Sequence, residues 1–477
     1  MKEMLKFYQK CKYIHYLLFF LPIIVVGCMD MFSGPDFWFL HEYGKHILTS
    51  GISHTDFLSM HSGLHLVMQQ WLSGVIFYSI YHYLGKYGIV AFVMGIVGAY
   101  TFILYKLLML ITKKDTFLST IFSVLTVLLL ATNFILMRPQ LFTYLFLFIE
   151  LLLMEYYSRN KDTKWIWILP VIALLQVNLH AALFFILFLF ILPYLVTFII
   201  KKDSKWKKLL LVFIIMLLVG FINPNGVEVF TFLFKALGRK DFTDFVMEMK
   251  PTAFNIEYPI NIFFYVILLV EVSLFAYSKK KVSLEHFFFF LGTFILAILN
   301  VRNIAFFIIG TVPFLSLLFK NKKRETEGTF KSYLPIYIVM GLVCCFYLVF
   351  NRSVDTSIVS GAADYLDTVK EEIVLYADFD YGSYLEYRGY HPYIDSRAEV
   401  YFKSLNKKFD YFDEYYLLEH GRSSISEFIN KYDFTHIVVS RSSYMAAYLS
   451  SYPAYKVGYS DDNFIVFEKN IILLEIK

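Results

Sequence analysis

Long apolar segments separated by short polar ones make up the chain between residues 13 and 350. Many of them reach about 17 to 25 residues, the length that an α-helix needs to cross a hydrocarbon layer of about 30 Å. From residue 351 to residue 477 the composition changes to that of a water-soluble protein. The pattern therefore predicts an α-helical polytopic membrane domain over residues 1–350 and a C-terminal α/β soluble domain over residues 351–477.

The apolar segments predict about eleven transmembrane helices. The first follows four lysines, but Asp30 and the bulky Met31 and Phe32 come after it instead of a small-residue cleavage site. We therefore expect an uncleaved helix and not a signal peptide. The predicted spans are residues 13–28, 87–111, 117–130, 141–156, 165–179, 181–200, 209–222, 260–277, 286–299, 304–319 and 333–350.

Basic residues between the spans predict the orientation. A cytoplasmic N-terminus places Lys113 and Lys114 inside, together with the basic loops within residues 159–164, 201–208, 279–281 and 320–331. Residues 65–83 are apolar, but counting them as a span would reverse every later loop, so we expect a helix at the outer interface. The outer side then carries a first loop (30–86), a second long loop (223–259) and the C-terminal domain.

Unusual polar residues gather on this predicted outer side. Charged groups at membrane depth cost several kcal/mol unless paired or hydrated, so their clustering indicates a functional site. Arginines there could bind a phosphate while a carboxylate accepts a proton. Alternatively, the arginines reach for headgroups, the amide and imidazole groups join neighbouring helices, and the acids cap helices. The residues are Asp36, His41, Glu42, Asp56, Arg138, Asn178, His180, Asn223 and Arg302.

Composition and motifs argue against several other classes of protein. The net charge of +5 comes largely from lysines between spans, which set orientation, so we expect no nucleic-acid partner. Four cysteines are too few and too badly placed for a disulfide framework. The sequence has no glycine-rich phosphate loop, zinc-ligand spacing or nucleophile elbow, which disfavours a soluble nucleotide-driven enzyme.

Short motifs along nearly the whole chain resemble, in their order, the type C glycosyltransferase (GT-C) superfamily, and most closely an uncharacterised bacterial branch of it. These polytopic enzymes transfer a sugar from a polyprenyl-phosphate carrier at the outer face of a membrane. Each motif alone is short and weakly specific. The motifs are PDFWFLHEYG at 35–44, DFLS at 56–59, QWL at 70–72, RPQ at 138–140, NLH at 178–180, NPNG at 223–226, VRN at 301–303, DYGSYL at 380–385 and YIDSR at 393–397.

The resemblance implies roles for particular residues. It implies that Asp36 acts as a catalytic base or metal-site residue, with Glu42 or Asp56 as a second acid. Two features depart from the superfamily: Phe37 follows Asp36 where a second acid is typical, and Gln70 stands where an acid is expected. A divalent metal therefore stays an open alternative. The residues implied to bind the lipid phosphate or the rest of the substrate are Arg138, Arg302, His180, Asn178, His41 and Gln70.

The expected function is transfer of a sugar from a polyprenyl-phosphate carrier to a glycan, lipid or protein acceptor of the cell envelope. Two alternatives remain open: a secondary transporter or flippase, and a non-catalytic envelope-assembly protein of the same fold. The composition favours a bacterial plasma membrane, with membrane lipids as partners. In the C-terminal domain we expect strands near residues 373–376, 392–394, 435–439 and 464–467, a helix at 426–432, and a tight turn at Gly382 before a helix.

Overall fold

The computed structural model describes residues 18–32, 34–159, 164–236, 239–252, 259–278, 282–319 and 356–470. The α-helices of the first part are α1 (Phe20–Gly27), α2 (Asp36–Ser50), α3 (Trp71–Ile111), α4 (Thr116–Ala131), α5 (Gln140–Arg159), α6 (Leu169–Leu179), α7 (Phe184–Ile200), α8 (Lys205–Val219), α9 (Glu228–Ala236), α10 (Lys240–Phe245), α11 (Pro259–Ser278), α12 (Leu284–Leu299) and α13 (Ile304–Phe319). Short 3₁₀ helices, such as Ala181–Leu183, Met247–Met249 and Val301–Asn303, join some of them.

Every predicted span between residues 87 and 319 coincides with a helix. By length and composition, four described helices could cross a membrane: Trp71–Ile111, Gln140–Arg159, Ala181–Ile200 and Pro259–Tyr277. Four shorter apolar helices accompany them: Thr116–Ala131, Lys164–Leu179, Leu284–Leu299 and Val301–Leu317. The predicted first span is described from residue 18, and the predicted span 333–350 lies outside the described residues.

The predicted interfacial helix at 65–83 begins later than expected. Helix α3 starts at Trp71 and continues to Ile111 through a kink at Gly85, which has a φ of 61°. Residues before Trp71 pair with the preceding segment instead: Asp56 N–H donates to Leu64 O (2.8 Å), and Leu66 N–H donates to His54 O (2.9 Å). These extended pairings engage the backbone groups of residues 64 and 66, which explains the later start.

The chain divides into two compact units, which we call the helix unit and the loop–tail unit. Among the described residues, the helix unit contains those up to Met29, then Lys86–Asn223, and those from Val246 to Phe319. The loop–tail unit contains Asp30–Gly85, Pro224–Phe245 and the described C-terminal residues 356–470. The first loop, most of the second long loop and the C-terminal domain, which are far apart in the sequence, thus form one unit.

Helices of the helix unit pack through apolar and threonine-rich faces. Helix α4 contacts α13, and most of its side chains are buried. Its buried hydroxyls bond to its own backbone, as Thr126 Oγ1 does to Phe122 O (2.7 Å), so they are satisfied without water. Other helices expose large apolar side chains, including Leu218 (60%) and Leu269 (67%). Exposed apolar faces of this kind fit a hydrocarbon environment.

The loop–tail unit contains a four-stranded sheet with the order β1–β2–β4–β3. Its strands are β1 (Leu375–Ala377), β2 (His436–Ser440), β3 (Tyr455–Ser460) and β4 (Phe464–Lys469). Strands β1 and β2 are parallel, with Tyr376 opposite Ile437, and the other two pairs are antiparallel. The helices of this part are α14 (Ser360–Leu366), α15 (Phe379–Tyr387), α16 (Lys403–Asn406), α17 (Tyr411–Glu419), α18 (Ile425–Tyr432) and α19 (Tyr444–Leu449).

Two predictions for this domain were wrong in detail. Residues 392–394 form no strand, only an isolated bridge between Leu375 and Pro392. Gly382 lies inside α15 and does not form a turn before it. A Cβ atom on Gly382 would lie 2.1 Å from Ile394 O, so glycine permits close backbone contact at this position. The β3 strand was not predicted.

Candidate functional site

Links at one end of the helix unit bring several of the predicted polar residues together. Arg138 lies in the link between α4 and α5, and Pro139 then precedes the first residue of α5. His180 ends α6 with a non-helical backbone (φ −156°, ψ 73°). Arg302 lies in the short 3₁₀ helix between α12 and α13. Each helix break places a polar side chain at the same end of the helices.

Arg138 pairs with Glu248, an acid that the sequence analysis did not identify. An Nη1 atom of Arg138 contacts Oε1 of Glu248 within hydrogen-bonding distance. The Arg138 side chain is 17% exposed and that of Glu248 is 41% exposed. Burial alone would raise the pKa of Glu248, but Arg138 and also Arg302 lower it below its usual value. Glu248 is therefore ionised at neutral pH.

Arg302 lies next to His180, whose ring also contacts Thr143 of α5. An Nη2 atom of Arg302 is 3.5 Å from His180 Nε2, while Nδ1 lies 2.9 Å from Thr143 Oγ1. An arginine has only donors, so Nε2 must accept and Nδ1–H donates to Thr143. Burial, followed by the charge of Arg302, lowers the pKa of His180, which lies in the link between α6 and α7. Gln176 also donates to Thr143 Oγ1 (2.9 Å).

Backbone contacts hold the segment that carries Glu248 against the end of α12. Asn300 Nδ2 donates to Met249 O (2.6 Å), and Val301 N–H donates to Lys250 O (3.0 Å). Thr252 N–H donates to Ile298 O (3.0 Å). Glu248 is consequently fixed from its C-terminal side, and its position beside the arginines follows from the fold of the helix unit.

We call Arg138, Arg302, Glu248 and His180 the basic cluster. Its two guanidinium groups and one carboxylate, with a neutral imidazole, leave one net positive charge. Guanidinium groups bind phosphate through paired N–H donors, so the arrangement is suited to an anion that carries oxygen acceptors. Asn178 Nδ2 donates to Leu174 O (2.8 Å) and Ile222 O (3.0 Å), which joins α6 to the end of α8.

Two of the predicted first-loop acids lie on α2, in the loop–tail unit. Asp36 is half-buried in the first turn of this helix, directly after Pro35. Glu42 is buried, with Oε1 2.9 Å from His41 Nδ1 and Oε2 3.2 Å from Lys45 Nζ. His41 and Glu42 thus form a pair with each other, and the ring of His41 lies between tyrosines, including Tyr81 and Tyr387.

Asp56 is part of a buried network around Arg397. Oδ1 of Asp56 accepts from Arg397 Nη1 (2.6 Å), and Oδ2 accepts from Ser59 Oγ (2.6 Å). Arg397 also donates to Tyr43 (3.0 Å), to Glu386 (3.0 Å) and to both carboxylate oxygens of Asp395 (2.8 and 2.5 Å). We call Arg397 with these three acids the Arg397 network. Its contacts join the first loop to the C-terminal segment within one unit.

The three acids of the Arg397 network differ in protonation. Burial, followed by the nearby charge of Asp395, raises the pKa of Glu386 well above its ordinary value. For Asp395, burial acts in the same direction, but Arg397 outweighs it and lowers the pKa. Glu386 therefore remains protonated when Asp395 is ionised. A neutral third acid limits the uncompensated negative charge in this buried site.

A narrow cleft in the loop–tail unit contains Gln70. It is lined by Phe39 and Tyr43 of α2, by Gln69 and Gln70, and by residues that include Arg397 and Glu399. Gln69 Nε2 donates to Glu399 Oε1 (2.8 Å), and no described residue donates to the side-chain oxygen of Gln70. Burial raises the pKa of Glu399, and Asp36 contributes in the same direction. Asp36 shares a helix face with Phe39 and Tyr43 by its spacing.

The described residues do not form a recognisable metal centre. Within the described ranges, no group of three or more His, Cys, Asp or Glu side chains is placed to hold a metal ion. The predicted acids Asp36, Glu42 and Asp56 have different surroundings. Glu42 is paired with the imidazole of His41, and Asp56 is paired with the guanidinium group of Arg397.

Glu248 and Glu399 are the residues that sequence reasoning missed. Glu248 lies 110 positions from Arg138 and outside the motif at 223–226 of its loop, so no local pattern indicates the pairing. Glu399 follows the motif at 393–397 by two residues. That motif indicates only a resemblance to the superfamily, and the buried position of Arg397 has no sequence signature.

Solved structures with similar folds include three membrane-enzyme structures. The oligosaccharyltransferase of Archaeoglobus fulgidus, solved with a tethered acceptor peptide, has a TM-score of 0.60 and 11% identity, over 96% of this chain and 74% of its own. ArnT of Cupriavidus metallidurans, bound to undecaprenyl phosphate, has a TM-score of 0.52 and 12% identity, over 95% and 97%. AglB of A. fulgidus, with an inhibitory peptide and a dolichol-phosphate, has a TM-score of 0.55 and 11% identity, over 90% and 69%.

No protein-family model matches the sequence, and no curated protein matches it. At 11–12% identity, the likeness to the three solved structures establishes the fold. Both the oligosaccharyltransferases and ArnT are GT-C proteins. Together with the apolar helices, the likeness identifies a membrane protein. The resemblance inferred from the motifs is thus confirmed for the architecture: this chain has the GT-C fold.

Proposed function

We propose that this protein is a membrane glycosyltransferase that takes its sugar from a polyprenyl-phosphate carrier. The observation that carries the proposal is the basic cluster, in which Arg138 and Arg302 come together at one end of the helix unit. Solved structures of the same fold contain undecaprenyl phosphate in one case and a dolichol-phosphate in another, which supports the same class of ligand here. The acceptor is a glycan, lipid or protein of the cell envelope, at the outer face of the membrane.

In this proposal the arginines bind the carrier phosphate and stabilise the charge that it gains as the leaving group. Asp36 takes the proton from the acceptor hydroxyl, whose oxygen forms the new bond to the anomeric carbon. The bond between that carbon and the phosphate oxygen breaks, and its electron pair leaves with the phosphate. Attack opposite the leaving group inverts the configuration.

Asp36 is the preferred base because it is less buried than the other two acids. Glu42 is buried between His41 and Lys45, and Asp56 is buried against Arg397 and Ser59. Asp36 is only half-buried. We therefore assign Glu42 and Asp56, with His41, to positioning of the loop–tail unit, and Gln70 to contact with the substrate.

The test measures sugar transfer by the purified protein in lipid nanodiscs. Radiolabelled polyprenyl-phosphate sugars are supplied together with lipid, glycan and protein fractions of the bacterial envelope. We expect transfer by the wild type and a loss of about 100- to 10,000-fold in Asp36→Asn. Asp462→Asn, which neutralises an exposed acid of the same unit, is the matched control. Substantial activity in a folded Asp36→Asn variant would contradict the assignment of the base.

A transporter is the second candidate, because of one buried acid. Glu150 lies near the middle of α5 and is fully buried, and no described residue donates to either of its carboxylate oxygens. Ionisable groups inside membrane helices often mark transport pathways. Movement of a labelled polyprenyl phosphate across vesicles, abolished by Glu150→Gln and unaffected by Asp36→Asn, would favour this function over sugar transfer.

A further inference from the structure

Glu248 places a fixed negative charge in the site that is proposed to bind the carrier phosphate. Its carboxylate contacts Arg138, and Arg302 also lowers its pKa, so both arginines act on the same acid. A carboxylate presents the same kind of acceptor oxygens to an arginine as a phosphate does. Glu248 therefore affects directly how much positive charge remains for a ligand.

The acid is held in place by the fold around it. The three hydrogen bonds of Met249, Lys250 and Thr252 with residues 298–301 fasten the segment immediately after Glu248. A ligand that displaced the Glu248 backbone would have to break these bonds. The structure consequently favours a carboxylate that stays beside the arginines while a ligand binds.

We propose that Glu248 is a specificity-determining residue, which selects a carrier with one phosphate over a carrier with a diphosphate. The inference rests on the proposed function and names the substrate class of the same site. The basic cluster has one net positive charge with Glu248 in place. A lipid with a single phosphate carries about one negative charge fewer than the same lipid with a diphosphate, with or without an attached sugar.

The second phosphate is disfavoured because of Glu248. Its charge would face a carboxylate that already occupies donors of Arg138, at distances where unscreened charges interact strongly. Repulsion of an unwanted ligand is a common source of specificity, in addition to attraction of the right one. Without the carboxylate, the cluster would carry one more net positive charge, which favours a ligand with a second phosphate.

The experiment compares two lipid probes that differ by one phosphate. Affinities of undecaprenyl phosphate and undecaprenyl diphosphate are measured on the full chain in nanodiscs of neutral lipid. We expect the wild type to prefer the monophosphate by about tenfold or more, equivalent to about 1.4 kcal/mol. In Glu248→Gln, we expect this preference to fall by at least about fivefold, mainly through tighter binding of the diphosphate.

Control variants separate this inference from simpler explanations. Asp244→Asn removes the same charge from an exposed acid four residues away, and its preference should equal that of the wild type. Glu248→Ala serves as a second variant if Glu248→Gln does not fold. An unchanged preference in the Glu248 variants, with binding still sensitive to Arg138→Ala, would overturn the inference alone. Absence of binding to either lipid by the wild type would contradict the proposed function as well.

Discussion

Arg138 and Arg397 show two different uses of one residue type. Arg397 has 2% of its side chain exposed, and three acids that are fully buried surround it. Arg138 has 17% of its side chain exposed, and its partner Glu248 is 41% exposed. The first arginine is fully committed to contacts within its own unit. The second keeps access to solvent, which the proposed binding of a ligand requires.

The largest effect should come from removing Arg397. We expect Arg397→Met to lower the free energy of unfolding of the loop–tail unit by about 3 to 5 kcal/mol, because several buried acids lose their cationic partner. Thermal unfolding of the full chain in detergent measures the change. Arg441→Met is the matched control, because Arg441 is exposed. A stability equal to that of the wild type would show that the network contributes little to folding.

Asp395→Asn should have the next largest effect. Asp395 receives two hydrogen bonds from the Arg397 side chain and one from its backbone N–H, and their loss should cost about 1.5 to 3 kcal/mol at pH 7. The pKa of Asp395 is lowered, so its stabilisation is present above the ordinary aspartate pKa and is lost as the pH falls. Unfolding measured at decreasing pH should therefore bring the variant and the wild type together. A constant difference at all pH values would contradict the ion pair.

Arg138→Met should change folding much less. Its ion pair with Glu248 is partly hydrated, and pairs of this kind contribute about 1 kcal/mol or less. Thermal unfolding should therefore differ only slightly from that of the wild type, while lipid-phosphate binding is lost. A destabilisation as large as that of Arg397→Met would remove the distinction between the two arginines.

The smallest effect should come from Glu386→Gln. The pKa of Glu386 is raised well above its ordinary value in the folded protein, whereas Glu386 ionises in the unfolded chain above about pH 4.3. That ionisation favours unfolding at neutral pH, and glutamine removes it. We expect a stability at pH 7.5 equal to or slightly above that of the wild type, with the gain absent at pH 4 and below. A clear loss at pH 7.5 would show that Glu386 is ionised in the folded state.

The apolar pattern was sufficient to predict the helices of the helix unit. Spans predicted at 117–130 and 304–319 correspond to Thr116–Ala131 and Ile304–Phe319, because helix length and hydropathy are local properties. The pattern failed where contacts between distant segments decide the structure. Residues 64 and 66 pair with Asp56 and His54, so α3 starts at Trp71. Strand β3 is largely exposed and contains Gly458, which weakens its pattern.

The candidate site was predictable only where its residues stand in local sequence motifs. Helix breaks at Arg138, His180 and Arg302 could be recognised in the sequence, and the structure brings these residues into one cluster. The Glu248 partner was not recognisable, because its pairing depends on how a long loop folds back on the end of α12. Likewise, the motif that contains Arg397 gave no indication that its charge is buried.

Binding of undecaprenyl phosphate to the purified chain in nanodiscs tests whether the basic cluster binds a lipid phosphate. Wild type, Arg138→Ala and Arg302→Ala are compared, with Arg441→Ala as an exposed control. We expect saturable binding by the wild type and the control, and a loss of affinity of about tenfold or more in both cluster variants. No specific binding, or equal binding by all four proteins, would contradict a phosphate site at the basic cluster.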